Sequence, residues 1–171
     1  MIYNKLKITF TTHAAGGLTE EESAAADAAP KKHNFGKGTH MANMRDLFQS
    51  ADWKAEKHVP VIEAPDKVKK GEFFKIDVVV GKEIPHPNKT EHHIRWIAVY
   101  FHPQGEKFPY QIGKAEFTAH GESIQGPDTS TVYTHPQILL SFKTDKAGTI
   151  YASSYCNIHG LWQNSKELTV A

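Results

Sequence analysis

F-F-K-I-D-V-V-V, residues 73–80, alternates in side-chain character and is rich in β-branched residues. A period of two over this length is the mark of a β-strand with one face buried, because successive side chains point to opposite faces. I-R-W-I-A-V-Y-F, residues 94–101, repeats the pattern. Further strands are predicted over residues 59–63, 110–118, 138–144, 149–155 and 167–170. Turn chemistry separates them in K-K-G-E, H-P-Q-G-E, G-P-D-T and D-K-A-G. Seven short strands with no convincing helix between them predict an all-β protein, an antiparallel immunoglobulin-like β-sandwich. The cysteine pair and core tryptophan of true immunoglobulin domains are missing, so the expectation concerns architecture only.

Residues 1–50 read differently. T-E-E-E-S-A-A-A-D-A-A-P-K-K-H-N-F-G-K-G-T-H-M, residues 19–41, is rich in Ala, Gly and charge, with few large apolar side chains. Such a stretch buries little surface, so a poorly structured N-terminal extension is expected over 1–50, with the folded domain over 51–171. Residues 20–29 could form a helical turn or two, and residues 41–53 a short helix. Gly38-Thr39-His40-Met41 reads either as an engineered leader that places the native start at Met41 or as part of a native extension.

Of 171 residues, 39% are hydrophobic and 23% charged, and the net charge is +1. Nothing in that balance favours nucleic acid or an anionic membrane as partner. No apolar run reaches the roughly 20 residues of a membrane-spanning helix, and the N-terminus lacks the apolar core of a secretory signal. A single cysteine excludes an internal disulfide and fits a reducing cytoplasm. Eleven histidines beside that one cysteine raise the prospect of a metal site.

Cys156 and His159 lie in Y-C-N-I-H-G-L-W, residues 155–162, at the end of a predicted strand. His58 opens the β-rich region, His86 sits between two prolines on a stiffened loop, and His92 and His93 precede a strand. Neighbours in a strand face opposite ways, so only one of the last two can face a given site. Four imidazoles and a thiolate can therefore gather at the ends of adjacent strands. His13, His33 and His40 read as solvated, His102 and His135 as turn residues, and His120 as structural or as a partner to a ligand.

A Cys156–His159 nucleophile pair lacks the elbow and oxyanion donors such chemistry needs. A structural zinc site would use more thiolates. Blue copper is the serious rival, since two histidines, a cysteine and an axial methionine on a β-sandwich suit it. The methionines, however, are Met1, Met41 and Met44, and none follows Cys156.

Taken together, E-K-H-V-P (56–60), G-K-E-I-P-H-P-N-x-x-E-H-H-I (81–94), F-T-A-H-G-E-S (117–123) and S-Y-C-N-I-H-G-L-W (154–162) resemble the superoxide reductases, the neelaredoxin or desulfoferrodoxin family, over residues 52–170. The resemblance implies an immunoglobulin-like sandwich holding one mononuclear non-haem iron. It implies His58, His86, His92 and His159 as a plane of imidazoles, with Cys156 as the axial sulfur and His93 facing away. It also implies Glu56 as a labile sixth ligand and Lys57 as a positive residue beside the open face. No cysteine precedes Cys156, so the chain resembles the one-iron class that lacks a four-cysteine domain. The implied activity is one-electron reduction of superoxide to hydrogen peroxide, with electrons from rubredoxin or a similar donor. The implied assembly is a homo-oligomer, a tetramer. Lys54 and Lys89 read as solvated charges, and backbone N–H groups near Ile158 and His159 are expected at the Cys156 sulfur.

Overall fold

A computed structural model describes residues 43–171. The helical turn expected within residues 20–29, His13, His33, His40, Met1 and Met41 lie outside the described residues. Among the described residues there are eight strands: β1 (Pro60–Glu63), β2 (Lys67–Val68), β3 (Phe74–Val80), β4 (Ile94–Pro103), β5 (Tyr110–Glu116), β6 (Gln137–Phe142), β7 (Gly148–Cys156) and β8 (Gly160–Val170). They form a three-stranded sheet, β1-β3-β6, and a five-stranded sheet, β2-β8-β7-β4-β5. The architecture is the expected immunoglobulin-like sandwich. Among the described residues, no helix is long and apolar enough to cross a membrane.

Alternation explains why the sheets face each other. In β4, Ile97, Val99 and Phe101 are buried, and Arg95 is exposed. In β7, Ile150, Ala152, Ser154 and Cys156 share the inward face, with Tyr151 exposed on the other. Ile76, Val78 and Val80 of β3 and Ile138 of β6 meet them from the smaller sheet, giving one continuous apolar cluster. A register shift between Ile94 and Trp96 against β7 lets Ile94 and Ile97, three positions apart, both point inward.

The seven predicted strands are present, with three departures from expectation. β2 is an eighth strand of two residues, too short to show a period, and it pairs parallel to β8. β8 begins at Gly160, well before residue 167, because residues 157–159 form a tight turn that closes β7 onto β8 in a Cys156↔Gly160 ladder. Gly160 sits at φ +75°, the left-handed region where glycine is at ease. His102, expected in a turn, lies within β4, where the ladder with β7 continues through His102↔Thr149.

The helix expected over residues 41–53 is a single 3₁₀ turn, Met44–Leu47. The chain then straightens, because Gln49 is captured by β8. Its N–H donates to the Leu161 carbonyl at 2.9 Å, and its own carbonyl accepts from the Gln163 N–H at 2.9 Å. Tertiary pairing thus outweighs helix propensity here.

Ile97 is fully buried in β4 of the larger sheet. Replacing it with Ala should destabilise the protein by about 2–5 kcal/mol through lost burial and a residual cavity. Urea unfolding would read this as a lower midpoint with an unchanged slope.

Candidate metal centre

The strand ends at one pole of the sandwich bring together side chains that are far apart in sequence. His58 lies two residues before β1 and is buried, and the buried Ser154 of β7 holds its carbonyl, with Oγ donating at 3.2 Å. His86 lies in the β3–β4 connection, and His92 two residues before β4 begins. Cys156 ends β7, and His159 closes the turn into β8.

The four rings occupy the corners of a near-square. Ring centroids are 4.7 Å apart for His58–His86, 4.7 Å for His86–His92, 4.8 Å for His92–His159 and 4.6 Å for His159–His58. Neighbouring rings stand 69–78° to each other. The His58–His92 diagonal is 5.9 Å, with the two rings inclined by only 26°. Ligand atoms of His58, His92, Cys156 and His159 all lie within 4.8 Å of one another. Nδ1 of His159 is 2.9 Å from His58 Nε2, 3.2 Å from His92 Nε2 and 3.6 Å from Cys156 Sγ.

Outer partners fix which nitrogen faces inward. His58 Nδ1 donates to Glu56 Oε1 at 2.6 Å, and His86 Nδ1 donates to the Pro87 carbonyl at 2.6 Å. Each bond leaves Nε2 bare and able to bind a metal, the usual arrangement behind a metal-bound histidine. His86 Nε2 is buried with no hydrogen-bond partner. Lone pairs that converge like this repel unless a proton or cation lies between them. A donor set of imidazoles and one thiolate suits iron, so these residues fit the metal that the sequence implied.

Electrostatics agree. Burial above all pushes His86 down to about 3, so the ring stays neutral and available as a ligand. Burial likewise lowers His58, against the pull of Glu56. Burial pushes the Cys156 thiol up, while the backbone N–H groups of Ile158 and His159 and the charge of Lys57 favour the thiolate. Those two N–H groups are the sulfur's expected donors. Lys57 is half-buried, and its charge disfavours the protonated forms of His58 and His86 as well, which places it electrostatically at the site.

His93 does face away, stacked on His120 with centroids 3.7 Å apart. Lys54 and Lys89 are exposed. Glu56 stands behind His58 rather than in the ligand cluster. Three contributors were not singled out by the sequence. The Trp162 indole stacks on His58 at 4.9 Å and 14°. Gln49 Nε2 donates to the His159 carbonyl at 2.9 Å. The Asn157 side chain accepts from His93 N–H at 2.9 Å and donates to the Glu91 carbonyl at 2.8 Å, joining the His92 segment to the Cys156 turn. Trp162 and Asn157 lie inside the quoted 154–162 block, but only the tertiary contacts reveal what each does.

The desulfoferrodoxin family profile matches residues 50–165. A superoxide reductase of Pyrococcus furiosus is 60% identical over 123 residues, covering 72% of this chain and 97% of the relative. A neelaredoxin of Megalodesulfovibrio gigas is 54% identical over 127 residues, covering 74% and 98%. Among solved structures, the reduced superoxide reductase (neelaredoxin) of Archaeoglobus fulgidus aligns with a TM-score of 0.67 at 58% identity. That alignment covers 72% of this chain and 98% of the other.

Two predictions follow from the geometry. Gly81 has φ +83°, and a Cβ there would lie 2.5 Å from the His86 backbone nitrogen. Gly81→Ala should therefore displace His86 and weaken metal binding, about tenfold or more by analogy with other partners of metal ligands, read by titrating metal into the stripped protein. Acid should also unfold the metal-free protein. His58 and His86 have folded pKa values below the unfolded 6.5, so the unfolded chain binds more protons as pH falls through that value. Stability should thus be fullest above about pH 6.5 and decline toward about pH 3. A flat urea midpoint across that range would contradict the assignment.

Proposed function

Because the chain belongs to the desulfoferrodoxin family, we infer from its convergent histidines and cysteine that it is a superoxide reductase. It takes superoxide, one electron and two protons to hydrogen peroxide, without releasing oxygen. The observation that carries the reading is the square of four imidazoles beside a buried sulfur.

In this reading His58, His86, His92, His159 and Cys156 would hold one iron, which would supply the single electron. The chain's own residues do the rest. The outer bonds at Glu56 and Pro87 hold the His58 and His86 rings with Nε2 inward. The N–H groups of Ile158 and His159 stabilise the sulfur as thiolate. Lys57 attracts the anionic substrate and steadies negative charge developing on its oxygens. With a net charge of +1, steering has to come from such local charge. Glu56, whose carboxylate here holds His58 Nδ1, would be available as a labile further ligand once that contact is released.

Residues 51–171 form the catalytic domain in this reading, and residues 1–50 an extension whose Gln49 pairs with β8. Each turnover consumes one electron, and Cys156 is the one cysteine of the 171 residues, so we assign the supply to an external one-electron donor. Rubredoxin or a similar carrier fills that role, in a cytoplasmic homotetramer. The blue-copper reading is not favoured. It needs only two imidazoles and an axial thioether, whereas four rings converge here and Met44 is exposed in the N-terminal turn.

Purified protein should contain one iron per chain and, when oxidised, show a visible thiolate-to-iron band that Cys156→Ser abolishes. Copper in place of iron would sink the reading. Lys57→Ala should retain the iron yet slow the reaction with superoxide by about tenfold or more, most strongly at low ionic strength. An unchanged rate at every salt concentration would remove Lys57 from the mechanism.

A further inference from the structure

Behind the ligand loops runs a polar chain that the reaction as described does not use. Asn88, two residues after His86, donates from Nδ2 to the Thr134 carbonyl at 2.7 Å. A carbonyl only accepts, so the amide cannot be turned over. Its Oδ1 therefore faces His120 Nδ1, at 2.7 Å. The other ring nitrogen, Nε2, lies 2.9 Å from the Phe117 carbonyl. Both partners of this ring are acceptors. A neutral imidazole donates from one nitrogen only and would aim a lone pair at an oxygen from the other. His120 is 3% exposed, so water cannot relieve that opposition.

The surroundings answer the charge. The Glu122 carboxylate accepts from the His120 backbone N–H and adds negative charge beside the ring. Burial above all, with His93 and Arg95, pulls His120 below the usual histidine value against the Phe117 carbonyl and Glu122; the acceptor on each ring nitrogen is what argues for the proton. Asn88 Oδ1 adds a second acceptor, leaving no site on the ring for a bare nitrogen. On the ring's face lies His93, nearly parallel at 10°, whose own Nδ1 donates to the Lys89 carbonyl at 2.9 Å.

We propose that His120 is a buried imidazolium and a positioning residue for the metal centre. Through Asn88 it latches the loop that carries His86, and through its stack on His93 it braces the strand end that carries His92. It thereby tightens metal binding, and its positive charge favours the reduced metal. The proposal rests on the reading of His86 and His92 as iron ligands. A residue in this place acts through others and touches neither substrate nor metal.

The full chain, stripped of metal and labelled with ¹⁵N in its histidines, tests the charge directly. Both ring nitrogens of His120 should carry protons at about pH 7, where an unperturbed histidine is mostly neutral; one bare nitrogen would overturn the proposal. Co²⁺ titration of the same chain tests the latch. His120→Leu and Asn88→Ala should each bind about tenfold to a hundredfold more weakly, with His120→Gln recovering part of the loss. In the iron-loaded protein, His120→Leu should also lower the ferric/ferrous potential. Variants that lose thermal stability yet keep wild-type Co²⁺ affinity and potential would reduce His120 to a packing residue and overturn the proposal. A wild-type chain that binds Co²⁺ but no iron would instead sink the superoxide reductase reading, and the nitrogen spectrum would still decide the charge on His120.

Discussion

Mutual repulsion is the constraint on which this molecule turns. Three imidazole nitrogens and a sulfur meet within 4.8 Å, and a fourth ring stands beside them with its inner nitrogen bare. No such cluster holds itself together. Each segment that contributes to it is tied down from behind by a side-chain hydrogen bond: Ser154 to the His58 carbonyl, Asn157 to the backbone around His92, Gln49 to the His159 carbonyl, and Asn88 to the Thr134 carbonyl beyond His86. Individually such bonds contribute about 1 kcal/mol. Their worth lies in direction, since each fixes a loop that the sandwich alone would leave free. Structural rigidity here serves a cluster whose lone pairs repel unless a proton or a cation lies between them.

The sandwich sets the stage by geometry alone. Because successive side chains of β7 point to opposite faces, Cys156 falls on the inward face with Ile150 and Ala152, which makes the sulfur part of the core and of the centre at once. The turn at residues 157–159 then swings His159 back toward the same pole. The bulge near Ile94 shifts the register of β4 against β7 close to where the paired histidines enter. One of that pair joins the square and the other stacks behind it.

How much of this was legible in the sequence depended on how local the cause was. Alternation over residues 73–80 and 94–101 announced the core strands, because side-chain parity is a local property. β2 was invisible, since two residues have no period, and its pairing with β8 is purely tertiary. β8 was foreshortened because Gln163, Asn164 and Ser165 break the apolar rhythm, while the hairpin from Cys156 supplies the ladder regardless. His58, His86, His92, Cys156 and His159 could be named from their motif blocks, and the structure gathers all five at one pole. The attachment of Glu56 to the outer nitrogen of His58 could not be read in advance. Nor could the indole of Trp162 on the ring of His58, since both arise from the packing of side chains far apart along the chain.

The complete enclosure of Cys156 also bears on the durability of the catalyst. Peroxide attacks exposed thiolates and drives them up the oxidation ladder toward sulfenic and sulfinic acids. An enzyme that manufactures this oxidant beside its own sulfur needs that atom out of reach. Seating it on the inward face of β7, beneath the amides of its own turn, lets the waste product depart without consuming the protein that made it.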